Sequence, residues 1–273
     1  MNSKLRKIIS SFLVVVMMFS LVGGAIPVMA KDACGYEPTS TMSALAGRSE
    51  DAVSGGVYSI SSESELNSFA KYVNDGRSTA GVTFYLTSDI KLDKDALWVP
   101  IGSSLVNAFQ GVFDGCGFAV TRLSSASAGS DFALFGYVKS EAALIKNLGV
   151  EGEITGADYV AGIVAHLNGG AVKNCWSAVD VSGEGAVGGV AAEVVGGTVS
   201  NCCSFGYING SKQVGAIAGR VSDRAVVDYS YYVYYGADSA VGSTDSSSRT
   251  DVFRFAGSST EVQIGRASCR ERV

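Results

Sequence analysis

The chain repeats itself. Leu144–Gly170 (L-I-K-N-L-G-V-E-G-E-I-T-G-A-D-Y-V-A-G-I-V-A-H-L-N-G-G) runs without a gap into two copies, Ala171–Gly197 and Thr198–Arg224. A fourth copy starts at Ala225 and fades after Gly242. The period is 27 residues, as the spacing of Asn147, Asn174 and Asn201 shows. A unit of that length holds about three short strands and three turns and cannot bury its apolar side alone, so neighbouring units must stack and share one core. Matching positions say what stacks. Ile145, Val172, Val199 and Val226 form one apolar column. Ile154, Val181, Ile208 and Tyr235 form a second, and Val160, Val187, Val214 and Val241 a third. Gly156, Gly183 and Gly210 form a turn column. Coils stacked at ~4.8 Å predict an all-β fold, a parallel β-helix, right-handed because crossovers between parallel strands are. A leucine-rich repeat is the rival at this period, but it needs closely spaced Leu where these units carry Val, Ala and Gly.

The sharpest polar column is Asn147, Asn174, Asn201 and Asp228. An amide both donates and accepts, so identical amides one coil apart can hydrogen-bond up the stack as a ladder. Asn also tolerates the conformation at which one strand bends into the next. Asp228 only accepts when ionised, so the ladder should end or weaken there.

Upstream, Phe132–Val138 is a variant copy of Ala161–Leu167 offset by 29, with two extra residues between Val138 and Asn147. Val57–Ile60 reads as a strand. Ser62 with Glu65 makes a capping box, and Leu66, Phe69, Ala70 and Val73 follow at helical spacing. This predicts a helix over Glu63–Asn74, placed to cover the open end of the solenoid. Residues 31–56, rich in Ser, Ala, Gly and Thr, read as a flexible leader. The solenoid is expected over 57–242, and an irregular, truncated end over 243–263.

The first 30 residues have the three parts of a secretory signal peptide: basic Lys4, Arg6 and Lys7, an apolar run over Ile8–Val22, and Val28-Met29-Ala30 as a cleavage site. An uncleaved anchor is the alternative. After cleavage no membrane span is expected, and the chain would be secreted or held at the cell surface. Residues 264–273 turn abruptly basic and resemble a tail on a sequence read that has run into adaptor or vector, so they are set apart from the fold. A net charge of −5 with no basic stripe argues against a nucleic-acid partner. The six Cys show no metal-site spacing. Cys175 and Cys202 share a core column and predict a buried thiol stack, while Cys203 falls in the column of Trp176 and points away. Whether Cys34 or Cys116 enters a disulfide is left open by the spacing.

V-A-G-I-V-A, V-G-G-V-A-A and V-G-A-I-A-G, each followed by a Gly-rich or polar turn and then apolar-x-N-C or apolar-x-N-L, resemble the GLUG motif. The lead-in fits as well: Y-S-I-S-S-E-S-E-L, L-T-S-D-I-K-L, W-V-P-I-G and F-Q-G-V-F-D-G-C-G. The resemblance spans about Val57 to Val241 and departs in carrying Ala at several motif Gly positions. It implies a right-handed β-helix of a bacterial exported or surface protein, in a family that includes adhesin-like and IgA-peptidase-associated chains. It supplies no catalytic residues.

Few residues offer chemistry. His166 shares an outward column with Glu193 and Arg220, read as solvent-facing, with Glu193–Arg220 a surface pair. Glu153 and Asp180 share another and could form a carboxylate pair, although a solvated strand face explains them too. Asp114, in a turn with Gly115, reads as structural. Tyr229 and Tyr235 fall in core columns, while Tyr234 stacks outward on Tyr207 and suits a sugar face or a protein. The expectation is a non-catalytic, adhesin-like stalk or binding module for a glycan or a host or cell-surface protein, with no catalytic residues, metal or cofactor and with Tyr207 and Tyr234 as candidate binding residues. A β-helix polysaccharide lyase or hydrolase and a passive spacer for a missing C-terminal domain are the alternatives.

Overall fold

The computed structural model describes residues 34–47, 52, 54–93, 97–125, 131–233 and 236–255. Two compact units are distinguished, 1–35 and 36–273. Of the first, Cys34 and Gly35 are described, Gly35 with φ +60°. All strands and helices below belong to the second. The signal-peptide and tail assignments fall outside the described residues.

The unit is a β-solenoid of about seven turns with coils of about 27 residues. One coil shows how the sequence builds it. Leu144–Lys146, Gly149–Thr155, Tyr159–Ala161 and Val164–Asn168 are its strands. That is four strands rather than the three expected. The additional corner lies inside the V-A-G-I-V-A motif, where Gly162 and Ile163 separate the third strand from the fourth. Glycine is required there. A Cβ on Gly162 would collide with Ser177 Oγ of the next coil, and one on Gly189 with Ser204 Oγ. The motif therefore marks a corner into which a serine from the following coil projects.

Successive coils pair in parallel. Ile145–Val172–Val199, Ile154–Val181–Ile208 and Val160–Val187–Val214 stack in register. All but Val214 are buried. Each such aliphatic side chain contributes ~1.5–3 kcal/mol on burial, so coils hold as a stack where one alone would not. The early copy follows the same rule with its offset intact. Phe135–Lys139 pairs with Val164–Asn168. The turn that follows, residues 140–143, is two residues longer than Gly169-Gly170.

The fourth copy departs from the expected columns. Val199 pairs with Val227, and Val226 lies beside Thr198. Val227 is the buried member. The cause is the preceding turn: Asp223-Arg224-Ala225 stands where the earlier coil has Gly196-Gly197, one residue more. The strand that follows, Val226–Val233, slips by one. Asp228 lands beside Ser200 rather than Asn201, and Tyr229 takes the bend position with φ +48°. Tyr229 is consequently exposed, not in the core. Val241 pairs with Ala218 and so leaves the Val214 column. Tyr235 lies outside the described residues.

Both boundaries of the solenoid are also revised. Within the expected leader, Ser40–Thr41 pairs with Tyr58–Ser59, and helix α1, Met42–Ala46, buries Met42 and Leu45. At the far end, Arg249–Phe255 is a strand laid along Val226–Val233, so 243–255 is not wholly irregular. Helix α2, Glu63–Asn74, forms as expected, with Ser62 Oγ accepting from Glu65 N–H at 3.3 Å. The Glu65 carboxylate reaches past the cap to Ser61 N–H and Oγ and to Ser43 Oγ, each at 2.8 Å. Burial penalises its charge, but these donors prevail and hold its pKa below the usual value. Phe69 closes the helix onto the core, 4.5 Å from Phe84 and 5.7 Å from Phe113 between ring centroids.

Candidate functional site

Two polar ladders run up the coils. The first stands at the bend between the first and second strands. Cys116, Asn147, Asn174 and Asn201 all have φ +53° there, a conformation Asn accepts at low cost. Asn201 Nδ2 donates to Asn174 Oδ1 at 3.3 Å, and Asn174 Nδ2 to Asn147 Oδ1 at 3.2 Å. Asn147 Nδ2 then donates to Asp114 Oδ1 at 2.9 Å. The acid that ends the ladder is therefore Asp114, at the opposite end from Asp228. Asp228 instead binds Arg249. Asp114 is a buried hub that also accepts from Tyr36 Oη and Cys116 N–H and pairs with Lys146 Nζ at 3.0 Å. The Lys146 pKa is raised: burial lowers it, and the bond to Asp114 more than compensates. An ionised carboxylate accepts and never donates. It therefore orients every amide above it, Nδ2 toward the acid.

The second ladder lies on the fourth strands. Tyr137, His166, Glu193 and Arg220 occupy one register column. Asp131 and Tyr159, from the third strands, close over it. His166 is not solvent-facing, being 7% exposed. Its ring stacks on Tyr137 at 4.4 Å and tilts against Tyr159 at 4.3 Å. His166 Nδ1 lies 3.0 Å from Glu193 Oε2, and Nε2 lies 3.4 Å from Asp131 Oδ2. Arg220 reaches Glu193 Oε1 at 3.1 Å, and Tyr137 Oη donates to Asp131 at 2.7 Å. Burial pulls the imidazole pKa down, but the carboxylates outweigh it and push it up to about 8. Burial, then the bond to Asp131, pushes the Tyr137 hydroxyl up to about 12. Reading columns at 27 finds His166, Glu193 and Arg220. Applying the 29-residue offset would have added Tyr137, whereas Asp131 and Tyr159 come from an adjacent strand and leave no periodic signal.

Exposed aromatics gather on the last coils: Tyr207 50%, Tyr229 57%, Tyr231 42% and Phe253 46%. Tyr231 and Phe253 are register neighbours and stack at 5.5 Å with 26° between planes. Tyr234 lies outside the described residues. Glu153 and Asp180 are exposed and in register, and Asp180 Oδ1 accepts from Tyr207 N–H at 2.7 Å. Cys175 and Cys202 are free and fully enclosed, their thiols turned to backbone carbonyls at 3.1 and 3.3 Å. Burial pushes the Cys175 thiol pKa well up. Cys203 pairs with Trp176 in a satellite cluster with Ala119, Phe205 and Val233, apart from the central core. Among the described residues no helix is long and apolar enough to cross a membrane.

No protein-family model matches the chain, and no curated protein matches it. Among solved structures, a Bacteroides ovatus protein named a "putative immunoglobulin A1 protease" is similar, at 18% identity and a TM-score of 0.48, covering 74% of this chain and 76% of that one. Nothing about activity passes from that likeness to this chain.

Proposed function

We propose that this chain is an exported, GLUG-like repeat domain, secreted or held at the cell surface, that acts without catalysis as a stalk and binds a glycan or protein partner with its last coils. The observation that carries the reading is the exposed aromatic group of Tyr207, Tyr229, Tyr231 and Phe253. Large aromatic rings left in water on adjacent rungs suit the flat faces of sugars or a protein partner. The acids support the non-catalytic side of the reading. Asp180 and Glu153 stand on an open strand face, and Asp180 is engaged with backbone. The acid–base group around His166 is packed into the solenoid wall. The N-terminal basic and apolar segments support export. Cys116 is disulfide-bonded, which is compatible with an oxidising compartment.

The test is retention of the purified chain on a glycan array and on a host-matrix protein panel, with Tyr231→Ser/Phe253→Ser beside it. The wild type is expected to be retained on at least one panel, and the double variant to lose ~10-fold or more in affinity, since removing one stacked ring costs about 1–3 kcal/mol. Melting curves establish that the variant is folded. Retention on neither panel would leave a passive spacer.

A further inference from the structure

His166 sits in a setting built for the imidazolium. Both ring nitrogens face carboxylates: Nδ1 faces Glu193 and Nε2 faces Asp131. A neutral imidazole has one N–H and one lone pair. Whichever tautomer forms, one of the two carboxylates is then left facing a lone pair. Only the cation presents an N–H to each side, donating to Glu193 from Nδ1 and making an ion pair, without hydrogen-bond geometry, to Asp131 from Nε2. The surroundings sharpen this. Tyr137 and Tyr159 enclose the ring and keep water from replacing the lost donor. The titratable and charged groups facing it are Asp131 and Tyr159 from the third strands and Tyr137, Glu193 and Arg220 from the fourth. Glu193 keeps Arg220 when the proton leaves, and Asp131 keeps the Tyr137 hydroxyl. The Nε2–Asp131 contact, at 3.4 Å already the longer, is the one that yields.

What depends on that contact is a weakly held piece of structure. Asp131–Phe132 is a two-residue strand at the edge of its sheet, paired with Tyr159–Val160. Such short edges open at low cost unless a side chain ties them down. We propose that Asp131, His166 and Glu193 form a pH-sensitive clasp: with His166 protonated it ties the 131–139 coil to the two coils that follow, and with His166 neutral it lets the 131–132 edge come away. This device is independent of the aromatic group on the last coils.

His166 is the chain's single histidine, so one imidazole resonance reports its charge. Its midpoint is expected near 8, raised from 6.5. A group whose folded pKa is raised contributes stability fully present below its unfolded pKa and lost as pH rises through the folded one. The opening equilibrium should therefore rise between pH 5.5 and pH 9, by at most about 25-fold, because Glu193 stays beside the imidazole when the edge opens. A local readout exists. Trp98 donates its indole N–H to Leu134 O at 3.1 Å, just beyond the clasp. Its protection from solvent exchange, corrected for base catalysis, should fall by that factor in the full chain. Asp131→Asn should lower the imidazole midpoint and flatten the profile, and His166→Gln should abolish it. A midpoint at or below 6.5, a pH-independent Trp98 protection, or an unchanged profile in Asp131→Asn would each overturn the clasp. Should His166→Gln fail to fold, the wild type and Asp131→Asn decide the matter alone.

Discussion

The two ladders solve the same problem with different chemistry. Each carries polar side chains up a stack of coils whose interior is apolar. The amide ladder repeats one residue, and Asn147 and Asn174 are each donor to one neighbour and acceptor from the next. It could be extended by any number of coils, and one buried acid, Asp114, fixes its direction. The ladder through His166 cannot repeat, because like charges one rung apart would repel. It alternates Tyr, His, Glu and Arg and borrows Asp131 from the neighbouring strands. The amides above Asp114 carry no charge to titrate, so most of that ladder should ignore pH, whereas the ionic one depends on it at its centre. A solenoid can thus gain uniform cohesion from repetition and local responsiveness from a break in repetition.

The most damaging single change should fall in the amide ladder. Asn174→Leu removes two hydrogen bonds, strands the part-buried Asn147 Oδ1, leaves the exposed Asn201 Nδ2 to water, and places a bulky residue at φ +53°. Unsatisfied groups and backbone strain together should cost about 3 kcal/mol, read as a fall in urea midpoint with unchanged slope. Asn174→Gly separates the terms, since glycine tolerates the positive φ but cannot carry the ladder. If the two variants are equally destabilised, the amides matter and the backbone does not. If Asn174→Gly is harmless, the ladder is incidental and its contrast with the ionic one collapses.

The two ladders also differ in how far sequence discloses them. The amides recur at a fixed spacing in a fixed residue type, and the three Asn rungs are legible directly. Their terminus is not. Extending the column by 27 reaches Asp228, but one added residue in the 223–225 turn moves Asp228 off the ladder and puts Tyr229 at the bend. A slip of one residue in a turn leaves composition and pattern intact while reassigning every downstream side chain. Helix α2 was legible to the residue because its cap and its apolar spacing are local. The fourth corner of each coil was not. In two coils Gly162 and Gly189 yield space there to serines of the next coil, a contact that exists only after stacking. The environment of His166 was hidden for the same reason.

Glu193→Gln tests the ionic ladder at its most connected member. It weakens the pairing to both His166 and Arg220, and should cost about 2 kcal/mol near pH 6. The His166 contribution is complete below pH 6.5 and lost as pH rises through about 8. The gap between variant and wild type should therefore narrow by pH 9, leaving what Arg220 contributes. Asn174→Leu should show no such narrowing over that range. Unfolding curves for both variants at pH 6 and pH 9 make the comparison directly, and parallel gaps would mean that the second ladder is as indifferent to pH as the first.

The smallest effect should come from Arg220→Gln. The Arg220 side chain is 45% exposed, so its pair with Glu193 is a surface interaction worth less than about 1 kcal/mol. Stability should barely move. The imidazole should respond all the same. Removing Arg220 takes away a positive charge near His166 and leaves Glu193 to it alone, and both changes favour the imidazolium. The His166 resonance should therefore titrate above its wild-type midpoint, so that the clasp opens at a higher pH although the fold is no stronger. An unchanged midpoint would mean that Glu193 is not shared between its neighbours, and the column would reduce to two separate ion pairs.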